Sequence, residues 1–574
     1  MFSKRAGSLA AAFALVLLAS GGLTVSFQPG VPPSPEIDLA SEACTVILVG
    51  RDASTDGSVM STHAADCGVC DFTWRHVPAA EHKPGAMRRL YNIDQIRTWP
   101  PAEGGKWAMV LKDPTAVEIP QPAHTYGYHH SVFGYMNDQQ LAIAESTIGN
   151  VRKLANPTPT PATNITQLTL LAMERCRTAR EAIKLMGSLA ETYGYGYHDG
   201  GEMLAVSDPK EIWVFEIMPV GPLWTPQSGK PGAVWAAERV PDDHVSVCPN
   251  ESRIGEMDLG NPDLFMASAH VVSFAVEAGL YDPKSGKPFS FKRAYSPGEG
   301  SAVSSEGRRS RMWRFFDLVA PSQKFKPETA NMDFPFSVKP DARLSARDVM
   351  ALTRDKSEGT VFDPVRGLRG GPFKNPNYYK GTRLISVPNV EYTTLTQCRS
   401  WLPDPIGGLV WIALGAQDTS CYVPFYAGAT EIPKSFSVGD HFVLDRGSAR
   451  WAFDYVDFHA QVAYNAAIED VKAARKKWED GALDRIAEVD AQAGALYKKS
   501  PREAVKFVTG FGLNNAQNVV DAWWKLGDDM WVKYNHLGLY DAEKRRGGRI
   551  PTANPEWWNK AVRAFDVLNE PEKR

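Results

Sequence analysis

Residues 39–66 read LASEACTVILVGRDASTDGSVMSTHAAD, and the fold turns on this stretch. The run Cys44–Gly50 is aliphatic and β-branched without polar alternation, which predicts a strand buried on both faces. Asp52–Gly57 is rich in Asp, Ser and Gly and predicts a turn, and Ser58–Asp66 predicts a second strand running back. An antiparallel return brings both ends to one edge of a sheet. Cys44 and Asp66 are therefore expected to be neighbours although 22 positions separate them. The approach to Cys44 is mostly small residues (Ala40, Ser41, Ala43), so this cysteine reads either as core or as the first residue of a mature chain.

Upstream, Lys4 and Arg5 precede an uncharged run, Ala6–Val25, centred on LAAAFALVLLA. That is the pattern of an export signal, here residues 1–27, and it is short for a membrane span. Residues 28–43 are Pro-rich and poorly apolar, a linker or propeptide. The expected location is outside the cytoplasm, periplasmic or secreted, with no stable membrane insertion once the signal is removed. Seven cysteines are present, an odd number. Cys67 and Cys70 have CxxC spacing without a second ligand pair, which reads as a disulfide or two buried thiols rather than zinc. Cys398 and Cys421 flank a predicted strand and are a candidate disulfide.

Downstream, residues 126–149 predict two strands around a turn at Asn137–Asp138, and 165–194 predict helix, with Leu168, Leu171, Ala172, Cys176, Ala179, Ile183 and Leu189 on one stripe. Residues 202–218 predict a hairpin, and AVWAAERV another strand. Residues 255–400 read as loop-rich with one helix near 310–320, followed by a strand pair in GGLVWIALG and CYVPFYAGA. From His459 to Lys499 the period is helical, with Gly481 as the expected break, and the aromatic segment 521–540 reads as a packed helix and turn. Hairpins dominate and one helix set lies between strands, so the fold class is α+β with antiparallel sheets.

The chain has 574 residues and a net charge of −3, so no global field favours nucleic acid. It contains no GxSxG, P-loop, HExxH or helix-opening GxGxxG. His63, His129 and His130 lack partners at ligand spacing. No metal and no organic cofactor is expected. What stands out is positional: a cysteine at a strand start behind a removable-looking segment. Cut between Ala43 and Cys44, the chain would carry thiol and α-amine on one residue. An α-amine with an ordinary pKa of about 7.7–8.0 can serve as base to its own thiol. This is the logic of N-terminal nucleophile hydrolases.

The stretch CTVILVGRDASTDGSVMSTHAAD resembles the opening of the C69-family dipeptidases, thiol N-terminal nucleophile peptidases related to bile salt hydrolase and penicillin V acylase. The likeness continues in order through NDQQLAIAESTIG, EMLAVSDPKEIWVFEIM, AVWAAERVPDDHVSVCPNESRI, SRMWRFFDLVAPS and VPFYAGATEIPKSF. It implies an αββα sandwich of two antiparallel sheets over residues 44–455, with 456–574 as a helical C-terminal extension. It also implies roles. Cys44 would be the nucleophile and its amine the base. Asp66 would orient the nucleophile, Asn250 would be a side-chain oxyanion donor, and Thr147 would lend a backbone N–H. Arg311 would support the carboxylate network, with Arg308 and Arg309 close enough in sequence to compete for that place. Where the acylases carry an arginine three residues before the acid, this chain has His63.

The expected activity is hydrolysis of dipeptides through a self-exposed N-terminal cysteine. A dipeptidase pocket needs a carboxylate for the substrate's α-amine, for which Glu145 is a weak candidate. An N-acyl amide hydrolase of the same mechanism and a dead hydrolase fold used for binding remain open as alternatives. The oligomeric state is open too, including a homo-oligomer.

Overall fold

In the computed structural model, the strand expected at Cys44 begins one residue earlier, so that Ala43 is already a sheet residue. The structure describes residues 43–569 apart from 68–69, 94–110, 132–133, 156–160, 197–199, 222–223, 299–300, 302, 380 and 552–554. The expected signal and nearly all of the linker lie outside the described residues.

Among the described residues, fourteen strands build the two main sheets. They are β1 (Ala43–Val49), β2 (Val59–Asp66), β3 (Arg75–Val77), β4 (Tyr128–His130), β5 (Gly134–Asn137), β6 (Ala142–Ile148), β7 (Gly201–Ser207), β8 (Ile212–Pro219), β9 (Ala233–Val240), β10 (Val245–Cys248), β11 (Phe265–Ala267), β12 (Tyr392–Cys398), β13 (Leu409–Leu414) and β14 (Val423–Tyr426). A six-stranded sheet has the order β10-β1-β2-β12-β13-β14, and an eight-stranded sheet the order β11-β9-β8-β7-β6-β5-β4-β3. Every pairing among these strands is antiparallel. The main helices are α1 (Ile165–Arg175), α2 (Ala179–Tyr193), α3 (Ser305–Val319), α4 (Ala449–Val462), α5 (Tyr464–Arg475), α6 (Gly481–Tyr497) and α7 (Pro501–Tyr534).

Alternation along β1 shows the layers. Val46 and Leu48 meet Ala142, Ala144, Met203, Ala205 and Val214 of the other sheet, while Ile47 and Val49 meet Met312, Phe315 and Phe316 of α3 on the opposite side. On the far face of the eight-stranded sheet, Ile143, Leu204, Val206 and Phe215 pack against Leu168, Ala172, Ile183 and Met186 of α1 and α2. The order is helix, sheet, sheet, helix: the α+β sandwich that the resemblance implies. Burial on both faces explains why β1 carries no polar alternation.

Several expectations are corrected. Cys67 and Cys70 form a disulfide, but Cys398 and Cys421 are both free and buried. Gln397 lies opposite Leu409 and Tyr392 opposite Leu414, so Cys398 sits at one end of β13 while Cys421 follows its other end. About six residues at roughly 3.4 Å each separate them, far beyond disulfide reach. The stretch Tyr392–Cys398, read as loop, is the strand that joins β2 to β13. Helix 165–194 is two helices, because Thr178 and Glu181 form a capping box that starts α2. The C-terminal helices begin at Ala449, ten residues before His459. Gly481 breaks nothing: a wide π-turn over Lys476–Asp480 carries the chain from α5 into α6.

Candidate active site

The start of β1 is where the candidate residues meet. Cys44 pairs with Ala65 and Ala43 with Asp66. Alternation therefore sends the Cys44 side chain between the sheets, on the face shared by Ala65 and Tyr392, and sends Asp66 to the α3 side. The hairpin does bring the two ends together, but no hydrogen bond joins Asp66 to Cys44 among the described residues. Asp66 Oδ2 instead accepts from Arg383 Nη2 at 2.5 Å. Burial pushes the Asp66 carboxyl up from 3.8 to about 6, with Arg383 and then Arg311 pulling it back.

Cys44 is 8% exposed. Its Sγ donates to Glu145 Oε2 at 3.4 Å, and its backbone N–H donates to Asn250 Oδ1 at 3.2 Å. Burial holds the thiol well above its ordinary pKa, and the charges of Glu145 and Asp66 add to this. Glu145 shifts the other way. Burial pushes its carboxyl up, but the His63 and Glu202 side chains beside it outweigh this and hold it below 4.5. The His63 Nε2 lies 3.6 Å from the same Glu145 oxygen, and its ring meets Tyr392 edge-on at 5.6 Å. Thr147 Oγ1 donates to Glu145 Oε1 at 3.1 Å. Glu145 is thus a paired carboxylate, contrary to what a waiting amine site needs.

Asn250 follows β10 in a left-handed conformation, φ 61°, which Asn tolerates better than most residues. Its Nδ2 donates to Thr147 O at 2.8 Å and to Ser146 Oγ at 3.4 Å, so the amide bridges β1 to β6. Asn250 is 2% exposed, which closes its formal glycosylation sequon in the folded chain. The loop is pinned from below. Glu216 Oε2 accepts from Ser252 Oγ at 2.5 Å, and Glu216 Oε1 accepts from the N–H groups of Arg253 and Ile254 at 2.5 and 3.3 Å. Burial raises the Glu216 carboxyl to about 7 despite those donors.

Arg311, on α3, binds the backbone of the nucleophile candidate. Nη1 donates to Cys44 O at 2.7 Å and to Thr45 Oγ1 at 2.9 Å; Nη2 donates to Pro249 O at 2.9 Å and Asn250 Oδ1 at 3.0 Å. Burial, then the nearby Arg383, lowers its pKa to about 9. Its neighbour Arg308 is committed elsewhere, its Nε 2.5 Å from Glu251 Oε2.

Sequence reading missed Arg383, Glu202 and Glu216. Arg383 lies in a loop with no local signal. Glu202 and Glu216 are charges within apolar strands, which is a readable signal for a buried polar network. The Cys44 sulfur, a His63 nitrogen and a Glu145 oxygen lie within 4.8 Å of one another, donors of the kind that can hold Zn²⁺. They come from three strands, so no ligand spacing announces them. His129 is buried apart from them, against Trp74 and His76.

A buried thiol beside an ionised carboxylate, with its backbone clamped by an arginine and an amide, is an arrangement for nucleophilic acyl chemistry. A family model described as peptidase family C69 matches residues 43–477. The chain is similar to a probable dipeptidase of Latilactobacillus sakei, 25% identical over 477 residues that cover 78% of this chain and 90% of the relative. It is similar to a probable dipeptidase of Salmonella dublin, 28% identical over 398 residues, covering 67% and 81%. A probable dipeptidase B of Lactococcus lactis subsp. lactis is 25% identical over 409 residues, covering 69% and 76%.

Proposed function

Because the chain belongs to peptidase family C69, we propose that it is an exported cysteine dipeptidase whose nucleophile, Cys44, becomes N-terminal by a cut after Ala43. The observation that carries this reading is the convergence on Cys44 of Glu145, Asn250 and Arg311 from three separate elements. After the cut, the α-amine of Cys44 takes the proton of its own thiol, and the thiolate attacks the peptide carbonyl of a dipeptide. Asn250 Nδ2, released from Ser146 Oγ, and the backbone N–H of Thr147 hold the oxyanion, each donor contributing on the order of 10²–10³-fold in rate. The ammonium then protonates the leaving amine, and water hydrolyses the thioester. Asp66 and Arg311 hold the new N-terminus in register. The names of the relatives support the substrate class. Export is read from residues 1–27. Among the described residues no helix is long and apolar enough to cross a membrane.

The test is intact mass and N-terminal sequencing of the purified chain beside Cys44→Ala, with hydrolysis of a dipeptide panel and of N-acyl amino acids. The expected result is a wild-type chain starting at Cys44 that hydrolyses dipeptides, and a variant that keeps its leader and is inactive. Hydrolysis confined to N-acyl amino acids would move the reading to an acylase. An intact Ala43–Cys44 bond in folded wild-type protein sinks the N-terminal nucleophile.

A further inference from the structure

Turnover as described uses an amine that the uncut chain does not have. Before the cut, the Cys44 nitrogen is an amide whose N–H donates to Asn250 Oδ1, and an amide nitrogen is no base. The thiol must nevertheless lose a proton to attack the Ala43 carbonyl. The structure, which has Ala43 in place, shows where that proton points: Cys44 Sγ donates to Glu145 Oε2 at 3.4 Å. Both groups are buried. His63 Nε2 is 3.6 Å from that same oxygen, so it acts on the carboxylate. Of the other acids near the site, Asp66 is paired with Arg383 on the opposite face of the sheet and Glu202 bears on Glu145 itself.

We propose that Glu145 is the general base of self-cleavage, accepting the Cys44 thiol proton in the uncut chain and returning it to the departing Cys44 nitrogen. This rests on the reading that the chain is cut after Ala43. As the Sγ–H proton passes to the Glu145 carboxylate, Sγ forms a bond to the Ala43 carbonyl carbon. The carbon–nitrogen bond then breaks, the nitrogen takes the proton from the Glu145 carboxyl and becomes the α-amine, and a thioester remains. Water hydrolyses it to the Ala43 carboxylic acid and the free thiol. The surroundings hold the proton on sulfur and the charge on Glu145 at rest. Transfer is therefore uphill until the sulfur–carbon bond forms. A slow reaction suffices, because each chain undergoes it once. Glu145 is then a catalytic residue of maturation, with His63 and Glu202 its positioning partners.

The full-length wild type, Glu145→Gln and Glu145→Asp are purified and followed by intact mass over time, with and without hydroxylamine, which cleaves thioesters. Glu145→Gln should cut roughly 100-fold more slowly or worse, hydroxylamine should not restore it, and Glu145→Asp should recover part of the rate. Cutting of Glu145→Gln at the wild-type rate overturns the proposal. So does recovery by hydroxylamine, which means that the thioester forms without Glu145. If Glu145→Gln does not fold, folded Glu145→Asp decides: a slowed cut that ignores hydroxylamine supports the proposal, and a wild-type rate overturns it. A wild-type chain that is never cut fails the N-terminal nucleophile reading instead.

Discussion

Asp66 carries a pH signature that separates its charge from its place in the hairpin. Its carboxyl is raised to about 6 in the fold, chiefly by burial, against an ordinary value of 3.8. Between about pH 4 and 6 the folded chain binds more protons at this group than the unfolded chain does. Stability therefore falls as pH rises through that window, by at most about 3 kcal/mol, and the loss is fully present above it. Urea midpoints at pH 4.5 and 7 should show this fall in the wild type and a smaller one in Asp66→Asn; equal slopes in both would falsify the assignment. Dipeptide hydrolysis should rise with pH through the same region if the ionised form holds the new N-terminus. At this scale an ordered run of motifs was enough to name residues that the fold brings together, Cys44, Asn250 and Arg311. The sequence was unreadable where a partner comes from a distant loop, as Arg383 does to Asp66.

The Asn250 loop depends on the strand beneath it. Glu216 on β8 takes hydrogen bonds from Ser252 Oγ and from the N–H groups of Arg253 and Ile254. Glu216→Ala would leave three buried donors without that acceptor, at about 1–3 kcal/mol for each. We expect a stability loss on the order of 3 kcal/mol in denaturant titrations. A fall in kcat beyond that of Glu216→Gln, which keeps one acceptor oxygen, should accompany it. Equal kcat in the two variants would detach the loop from Glu216. Elements were legible where apolar period and turn chemistry agreed, as in β1, β2, β7 and β8. β12 was not, because Thr393, Thr394, Thr396 and Gln397 make YTTLTQC polar in composition although all seven residues are buried. Thr396 is satisfied locally: its Oγ1 lies 2.7 Å from Ser61 Oγ on β2, a cross-strand bond that composition cannot reveal. The π-turn was hidden for a similar reason. It brings Glu479 to Arg354, with Nη2 at 2.6 Å, and to the N–H of Tyr422 at 2.8 Å.

The C-terminal helices are tied to the sheets by more than contact. Trp523 of α7 is fully buried and donates to Thr419 O at 3.1 Å, and Asp490 of α6 pairs with Arg399, itself 2% exposed, at 2.6 Å. A chain ending at residue 455 would lose Asp490 and Glu479, the partners of Arg399 and Arg354, and would uncover Trp411, Tyr422 and Tyr426, which pack in one core with Val489, Val508 and Phe511 of the missing helices. It should give no soluble protein with a cooperative thermal transition; a folded, active truncation would show the helices to be dispensable. At the other end of the molecule, the pairing of Ala43 with Asp66 gives the proposed cut a direction. Cleavage would turn a neutral strand residue into a chain terminus bearing a carboxylate, set against a buried acid. The same cut would leave an amine on the side that stays, which turns positive when it takes up a proton. Asp66 would repel the first and attract the second, so the departing leader would be driven out of the sheet. Re-ligation would be opposed, and maturation would run as a ratchet with no outside source of energy.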